Sequence, residues 1–154
     1  MADRSKLGME FPAYTFIIEK DKIIEFAIAV SQKDSKEQIN PIYYDEDAAK
    51  KAGYQGIPIP PTFPICSFFW TGGGLMGTAK ILGIDLSRLL HREEEYEYFG
   101  IIYAGDVITR KMKVIDMFKK RSRNMIVEAT VLETEFINQR GELVIKARSR
   151  LMER

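Results

Sequence analysis

The chain has 154 residues, of which 45% are hydrophobic and 29% are charged, a composition typical of one globular domain with a sizeable core. Its 23 Lys and Arg residues nearly balance its 22 Asp and Glu residues, so a net charge of +1 provides no positive field that would attract nucleic acid or an acidic membrane. The sequence contains no apolar run of the about 18 residues that a membrane-spanning helix needs, and its charged N-terminus lacks the apolar segment of a signal peptide. We therefore expect a soluble, cytoplasmic protein without nucleic-acid partners.

Cys66 and His91 are the only residues of their types. A single cysteine excludes an intrachain disulfide, and one cysteine with one histidine disfavours a zinc site, so we expect no bound metal. Cys66 lies in an apolar run and is predicted to be buried and inert. His91 precedes three glutamates at 93–95 and is the one candidate for imidazole acid–base chemistry, although a structural role is the simpler interpretation.

The N-terminal half of the chain predicts mainly helices. A β-rich run at 14–18 predicts a short strand, and the apolar spacing of three and four residues that follows predicts an amphipathic helix ending near Ser31. Asp45 is a candidate N-cap for a short helix at 46–51, and Gly53 is a suitable residue to close it.

Prolines and glycines punctuate the middle of the chain. Four prolines between residues 56 and 64 predict an extended, rigid path, and the run 65–70 is apolar on every side, which predicts a fully buried helix. The sequence 72–77 reads Gly-x-Gly-x-x-Gly, but a dinucleotide site also requires a parallel sheet. Because antiparallel hairpins are predicted to follow, we interpret these glycines as a flexible break after the buried helix.

The C-terminal half predicts antiparallel strands. Alternating or β-rich runs lie at 93–99, 107–118, 124–136 and 142–151, and turns are predicted at 119–122 and 138–141. The first of these turns belongs to a basic cluster at 119–123, which we interpret as a solvated turn rather than a phosphate site. Helices followed by antiparallel strands predict an α+β fold, in a single domain at 13–154 that follows a flexible N-terminal tail at 1–12.

Several segments, in this order, resemble the MaoC-like dehydratase family, and most closely its N-terminal dehydratase branch. They are Asn40 to Tyr54 (Asn-Pro-Ile-Tyr-Tyr-Asp-Glu-Asp-Ala-Ala-Lys-Lys-Ala-Gly-Tyr), Pro60-Pro61-Thr62-Phe63, and His91 to Tyr98 leading into Ala104-Gly105-Asp106. The similarity runs from about residue 14 to residue 151, nearly the whole chain. It implies a hot dog fold, in which an antiparallel sheet wraps around a long central helix, here expected from Thr62 to about Trp70 and beyond.

The resemblance also implies a chemistry. Members of the family reversibly hydrate enoyl thioesters, or dehydrate 3-hydroxyacyl thioesters, on coenzyme A or acyl carrier protein; they need no further cofactor and usually pair as dimers. The reaction requires a base and an acid acting on one water, and hydrogen-bond donors for the oxyanion that develops on the thioester carbonyl. Active members carry Asp-x-Asn-Pro-(Leu/Ile)-His for the base and acid, and a turn whose backbone N–H binds the thioester oxygen.

This sequence departs from the active pattern at both places. Gln38 and Tyr43 occupy the positions of the Asp and the His, in the frame Gln-Ile-Asn-Pro-Ile-Tyr. Glutamine cannot act as a general base, and tyrosine with an ordinary pKa of about 10 is a poor one. At the turn the sequence has Pro60 and Pro61, and proline has no N–H to donate. The resemblance therefore implies a subunit without the standard dyad, similar to the dyad-less partners in heteromeric dehydratases of the family.

Such a subunit is expected to bind the acyl thioester in a homodimer, or in a heterodimer with a dyad-bearing MaoC-like subunit. The residues that the resemblance places against the substrate are Asn40, Tyr43, Pro61, Thr62, Phe63, Phe68 and Trp70. The aromatic members of this set could line an acyl tunnel, or they could simply pack the core.

Two other hypotheses stay open. An autonomous hydratase or dehydratase could use His91 as its acid–base group, aided by Tyr43 or Asp106, although Asp106 is most simply a turn residue. Alternatively, the chain could bind acyl-CoA without any enzymatic role. Turnover by the isolated chain would favour the first alternative, whereas binding without turnover in any pairing would favour the second.

Overall fold

The computed structural model describes residues 3–70, 74–122 and 125–154, and its central feature within these ranges is one antiparallel sheet. The strands are β1 (Tyr14–Ile17), β2 (Leu89–Tyr98), β3 (Val107–Ser122), β4 (Met125–Ile137) and β5 (Leu143–Glu153). Their order across the sheet is β1-β3-β4-β5-β2, so β1 and β2 lie at its two edges. Together with the helices described below, the sheet confirms the α+β prediction.

The helices precede the long strands. They are α1 (Lys20–Ser31), α2 (Glu46–Lys51), α3 (Ser67–Trp70) and α4 (Gly74–Leu82), with 3-10 helices at Arg4–Lys6, Lys36–Gln38, Pro41–Tyr43 and Phe63–Cys66. The predictions of α1 and α2 are confirmed. Asp45 caps α2 because its Oδ1 accepts hydrogen bonds from the N–H groups of Asp47 and Ala48, at 2.9 and 3.0 Å. Gly53 follows the helix with a φ of 93°, a backbone conformation that favours glycine.

The prediction of a fully buried helix at 65–70 is wrong. The chain there forms the end of a 3-10 helix and then α3, and Phe69 exposes 77% of its surface. A helix that packs against one sheet buries only one of its faces, so a run that is apolar on every side must expose part of itself. Cys66 is half-buried rather than buried, and burial raises the pKa of its thiol, which leaves it protonated near neutral pH.

The glycine motif at 72–77 is only partly a break. Gly72 and Gly73 lie outside the described residues, but Gly74 and Gly77 belong to α4, a helix that the glycine-rich sequence did not predict. Its buried face, which includes Ala79 and Leu82, packs into the core beneath the sheet. Tertiary burial of this face compensates for the poor helix propensity of glycine.

The strands are longer than predicted, and one predicted turn is wrong. β2 begins at Leu89 rather than at residue 93, and β3 continues to Ser122, so residues 119–122 lie in a strand. Lys119 there forms an ion pair with Glu128 on β4, at 3.0 Å. Arg123 and Asn124, which the basic cluster and the next predicted strand included, lie outside the described residues. The turn at 138–141 is confirmed by the hydrogen bond from the Gly141 N–H to the carbonyl of Asn138, at 2.9 Å.

The N-terminal segment is attached to the sheet instead of forming a flexible tail. From residue 3 onward, Gly8 donates to the carbonyl of Val114, and Phe11 donates to the carbonyl of Met112, at 3.0 and 2.8 Å. β1 pairs only with the first residues of β3, and the N-terminal segment hydrogen-bonds to backbone groups further along the same edge. The composition of the segment does not indicate this pairing.

Among the described residues, the core consists of two buried clusters. The first holds Phe63, Ile23, Ile108 and Ile145, with Trp70 packed against it. The Trp70 ring lies 5.0 Å from the ring of Phe16 and 5.7 Å from that of Phe63, measured between ring centroids. The second cluster holds Phe68, Leu82, Leu132 and Leu151, among others.

Candidate functional site

Tyr43 is placed by a short 3-10 helix at Pro41–Tyr43. Asn40 begins this helix, because its Oδ1 accepts a hydrogen bond from the Ile42 N–H at 3.1 Å. Asn40 thus caps the backbone, with its side chain exposed. Gln38 ends the preceding 3-10 helix with its side chain exposed.

A cavity of about 260 Å³ brings together the two places at which the sequence departs from the active pattern. Its lining consists of Ile42, Tyr43, Tyr54, Pro58, Ile59, Pro61, Tyr98, Ile101 and Ile102. We call it the tyrosine cavity. Tyr43 and Pro61, predicted to contact the substrate, share it, whereas Gln38 does not line it. Tyr54 and Tyr98 were not predicted, since nothing local to their segments indicates that they meet Tyr43.

The proline-rich segment reaches this cavity through backbone pairing with a distant part of the chain. Ile59 donates to the carbonyl of Ile102 at 3.0 Å, and Ala104 donates to the carbonyl of Ile57 at 2.9 Å. Beyond this pairing, the Tyr98 hydroxyl on β2 donates a hydrogen bond to the carbonyl of Pro61. Pro61 therefore accepts a hydrogen bond at the cavity and has no N–H to donate there.

Tyr43 and Tyr98 keep their protons at neutral pH and are hydrogen-bond donors. Burial raises the pKa of Tyr98 to about 12. Burial, with a smaller contribution from Tyr54, also raises the pKa of Tyr43. None of the described residues that line the cavity is a carboxylate, an imidazole or an amine. The arrangement can hold a carbonyl or hydroxyl oxygen, but it contains no group that would accept a proton from carbon or from water.

An apolar cavity lies next to the tyrosine cavity. Ile59 and Ile102 line both, and the apolar cavity also includes Phe63, Ser67 and Trp70. Its volume of about 10 Å³ is close to the space that one water requires. Phe63 and Trp70 thus lie where an acyl chain that passed between Ile59 and Ile102 would enter, but their aromatic packing fills that space.

Thr62 and Phe68, the other residues predicted to contact substrate, lie elsewhere. Thr62 is exposed at the start of the 3-10 helix and makes no side-chain capping bond. Phe68 is buried in the second core cluster, where the guanidinium of Arg110 lies 4.3 Å from the centroid of its ring. Burial lowers the pKa of Arg110 to about 10, so it remains a cation at neutral pH.

His91 and Asp106 are not part of the tyrosine cavity. His91 is exposed near the start of β2, and its Nε2 lies 3.0 Å from Oε2 of Glu94. Seven residues of extended strand separate it from Tyr98, a distance of about 23 Å at the usual rise. Asp106 accepts a hydrogen bond from the Tyr103 N–H at 2.8 Å and one from the Gln139 amide at 2.9 Å, the contacts of a turn residue.

The described ranges lack the side-chain cluster of a metal centre and the long apolar helix of a membrane span. They contain no group of three or more His, Cys, Asp and Glu side chains that could hold a metal ion. They also contain no helix that is long and apolar enough to cross a membrane.

Comparison with known families gives a match over residues 5–147 to the model described as FAS1-like, dehydratase domain region. The chain belongs to this dehydratase family. Relatives of the FAS1-like dehydratase chain include a UPF0336 protein of Leifsonia xyli, 32% identical over 93% of this chain and 89% of that protein. Another, from Thermobifida fusca, is 33% identical over 89% of this chain and 83% of that protein.

Solved structures show that the FAS1-like dehydratase chain has the MaoC-like hot dog fold. The HadBC (3R-hydroxyacyl-ACP dehydratase) complex of Mycobacterium tuberculosis matches with a TM-score of 0.72 and 23% identity, over 96% of both chains. The R-hydratase PhaJ1 of Pseudomonas aeruginosa matches with a TM-score of 0.60 and 18% identity, over 96% of this chain and 81% of that chain. The predicted fold is thereby confirmed.

Proposed function

We propose that this chain is the acyl-thioester-binding, non-catalytic subunit of an R-specific enoyl-thioester hydratase or 3-hydroxyacyl-thioester dehydratase. A second MaoC-like subunit supplies the Asp and His. The observation that carries the proposal is the tyrosine cavity, which offers the neutral hydroxyl of Tyr43 as a donor but contains no base. In this proposal the thioester is carried by coenzyme A or acyl carrier protein, and the protein acts in the cytoplasm.

The chemistry explains why the missing groups matter. Hydration adds water across the double bond, and the base must remove a proton from water while an acid delivers one to carbon. Tyr43 holds its proton more firmly than a free tyrosine, and the carboxamide of Gln38 neither gains nor loses a proton near neutral pH. At the place where active members donate a backbone N–H, Pro61 offers none. The thioester oxygen would accept a hydrogen bond from the Tyr43 hydroxyl, without the proton transfer that turnover requires.

Similar proteins support a partner subunit. HadBC is a complex of two differently named components, and so is the ChsH1-ChsH2 complex of Mycobacterium tuberculosis, which matches with a TM-score of 0.61 and 17% identity. A chain with Gln38 and Tyr43 in place of the Asp and His fits such an assembly, because the partner subunit can supply the base and the acid while this chain binds the acyl group.

The decisive experiment is hydration of short and medium trans-2-enoyl-CoAs by the purified chain alone, followed by the loss of conjugated enoyl-thioester absorbance. We expect no turnover, together with saturable binding of acyl-CoA in isothermal titration calorimetry. Clear turnover by the isolated chain would overturn the proposal. Failure to bind any acyl-CoA or acyl carrier protein thioester would overturn it as well.

A non-enzymatic acyl-CoA binder is the second candidate, because the same cavity chemistry favours it equally. The two functions differ in the effect of a dyad-bearing subunit. A catalytic assembly gains turnover or changes its chain-length preference when this chain is added, whereas a pure binder leaves the kinetics of any such subunit unchanged.

A further inference from the structure

A cavity of about 300 Å³ lies between the N-terminal segment, α4 and β3, and among the described residues it shares no lining with the tyrosine cavity. Its lining includes the buried side chains of Thr78, Arg110 and Met112, which form its floor, and the exposed residues Tyr14 and Ile81, which form its rim. We call it the arginine cavity. Its volume is at the lower end of the range for small-molecule sites, and the exposed rim gives a small molecule access to the buried floor.

The walls of the arginine cavity are held by the fold itself. Phe11 donates a backbone hydrogen bond to the carbonyl of Met112 at 2.8 Å, and Tyr14 lies opposite Arg110 in the register of β1 with β3. These contacts fix the N-terminal segment along β3 as one wall. The buried face of α4, which carries Thr78, provides another. The cavity is therefore formed without any bound molecule, as is usual for ligand sites.

Arg110 is the only charged side chain among the described residues that line this cavity. It is 4% exposed, and it is a cation at neutral pH because its pKa, although lowered by burial, is about 10. The ring of Phe68 covers a face of the guanidinium, and Nη2 donates to Sδ of Met112 at 3.0 Å. A carboxylate binds a guanidinium along its edge instead, through two parallel hydrogen bonds. Burial of a cation costs free energy, which an anion bound beside it offsets.

Glu94 is the carboxylate whose charge acts on Arg110, and it does not line the cavity. Its attraction raises the pKa of Arg110, but by less than burial lowers it. Oε2 of Glu94 accepts a hydrogen bond from the hydroxyl of Ser149 and lies 3.0 Å from Nε2 of His91. Glu94 thus belongs to a separate polar cluster, and within the cavity the charge of Arg110 favours an anion.

We propose that the arginine cavity binds a small organic anion, a monocarboxylate with a short apolar tail. One cation matches one negative charge, and apolar side chains of the lining, among them Phe11 and Ile81, match a tail of a few carbons. A phosphate dianion would bring two charges to a single buried cation and no apolar surface to the lining. The site is separate from the acyl-thioester site proposed above and does not depend on it.

Calorimetric titration with sodium hexanoate tests this proposal. We expect saturable binding with a dissociation constant of about 1 mM, as for a small ligand that forms one charged contact. Hexanamide has the same tail without the charge, and it should bind at least about tenfold more weakly. Equal affinities for hexanoate and hexanamide would overturn the proposal, and so would the binding of inorganic phosphate in place of hexanoate.

A charge variant at the rim tests the location of the site. Ile81 is 49% exposed, so Ile81→Glu introduces a like charge without disturbing the core. Repulsion should weaken the binding of hexanoate by about tenfold. The matched control, Met76→Glu, places the same charge at an exposed position of α4 outside the cavity and should bind hexanoate like the wild type. Arg110→Lys keeps the charge but loses the two-pronged contact and should also weaken binding. If this variant does not fold, Ile81→Glu decides the question alone.

Acyl-CoA titrations distinguish this site from the tyrosine cavity. Ile81→Glu should bind acyl-CoA like the wild type, and hexanoate should not displace acyl-CoA, because the two cavities share no lining residue among those described. If hexanoate competed with acyl-CoA, or bound equally well to Ile81→Glu and the wild type, the inference would be overturned while the acyl-thioester proposal would stand. A chain that bound hexanoate as expected but no acyl thioester would retain the arginine cavity and lose the proposed function.

Discussion

The hydroxyl of Tyr98 on β2 donates a hydrogen bond to the backbone carbonyl of Pro61, at the end of the proline-rich segment. The two residues are 37 positions apart in sequence. This bond joins an edge strand to the segment for which the family resemblance implies an oxyanion donor. It also fixes the Pro61 carbonyl as an acceptor at the tyrosine cavity.

Replacing Tyr98 by Phe should reduce the free energy of unfolding by about 0.5–1.5 kcal/mol, because the Pro61 carbonyl loses its partner. Urea unfolding measures the change, and Tyr14→Phe, at an exposed position on β1, is the matched control. Because burial raises the pKa of Tyr98 to about 12, its stabilising effect is complete below the ordinary tyrosine pKa of about 10 and is lost between these values. Equal stabilities of the two variants would contradict the role of the bond.

Phe63 is a core residue that lines the apolar cavity next to the tyrosine cavity. It is 1% exposed, and its ring packs against those of Phe26 and Trp70. Phe63→Ala should destabilise the fold by about 3–5 kcal/mol through lost burial and a residual cavity. Phe69 lies six residues further along the chain and is largely exposed. We therefore expect Phe69→Ala to change the free energy of unfolding by no more than about 0.5 kcal/mol. Thermal unfolding of both variants would reveal whether burial, and not aromatic character, decides the effect.

Glu133 is held between two cations in the middle of the sheet. Burial raises the pKa of its carboxyl, but hydrogen bonds from Lys113 and Arg148 outweigh this, so the pKa lies below its ordinary value. The stabilisation is therefore present above the unfolded pKa of about 4.3 and is lost as the pH falls through the folded value.

We expect Glu133→Gln to cost about 1–2 kcal/mol at pH 7 and to flatten the loss of stability in acid. Glu135→Gln is the control, because its single cation lies at 4.0 Å. Urea unfolding at pH 7 and pH 4 provides the measurement. If both variants lost stability equally at every pH, the contact of Glu133 with two cations would not be the source of the pH-dependent stabilisation.

His91→Ala separates the proposed function from the autonomous hydratase. Since His91 lies about 23 Å along β2 from Tyr98, we expect the affinity for acyl-CoA to stay within about twofold of wild type, a free-energy change of about 0.4 kcal/mol. Calorimetric titration measures this. An abolished enoyl-CoA hydratase activity in a folded variant would instead establish His91 as the acid–base group.

Restoring the catalytic pattern should create activity in steps. Q38D/Y43H introduces a carboxylate and an imidazole at the positions that the family resemblance implies for the base and the acid. Gln38 does not line the tyrosine cavity, so turnover also requires the new carboxylate to turn toward it, and we expect slow hydration of trans-2-enoyl-CoA where each single variant shows none. Adding P61G restores a backbone N–H and should increase the rate by about 100-fold, the usual contribution of one oxyanion donor. Glycine keeps the carbonyl that Tyr98 contacts. If the Q38D/Y43H/P61G variant bound acyl-CoA but stayed inactive, residues other than these three would also be needed for catalysis.

Local chemistry in the sequence determined much of this protein. The cap of α2 at Asp45, the strand periods and the turn at 138–141 depend on residues within a few positions of one another, and all were predicted. The absence of a base at Gln38 and Tyr43, and of an N–H at Pro61, follows from residue identity alone, because no fold can give these side chains a group that they lack.

Only the tertiary structure decided which residues meet. Tyr98 and Tyr54 join Tyr43 because strand register and backbone pairing bring distant segments together, and no local pattern encodes that distance. The same applies to Phe69, which a one-sided contact with the sheet leaves exposed, and to α4, which burial stabilises despite its glycines.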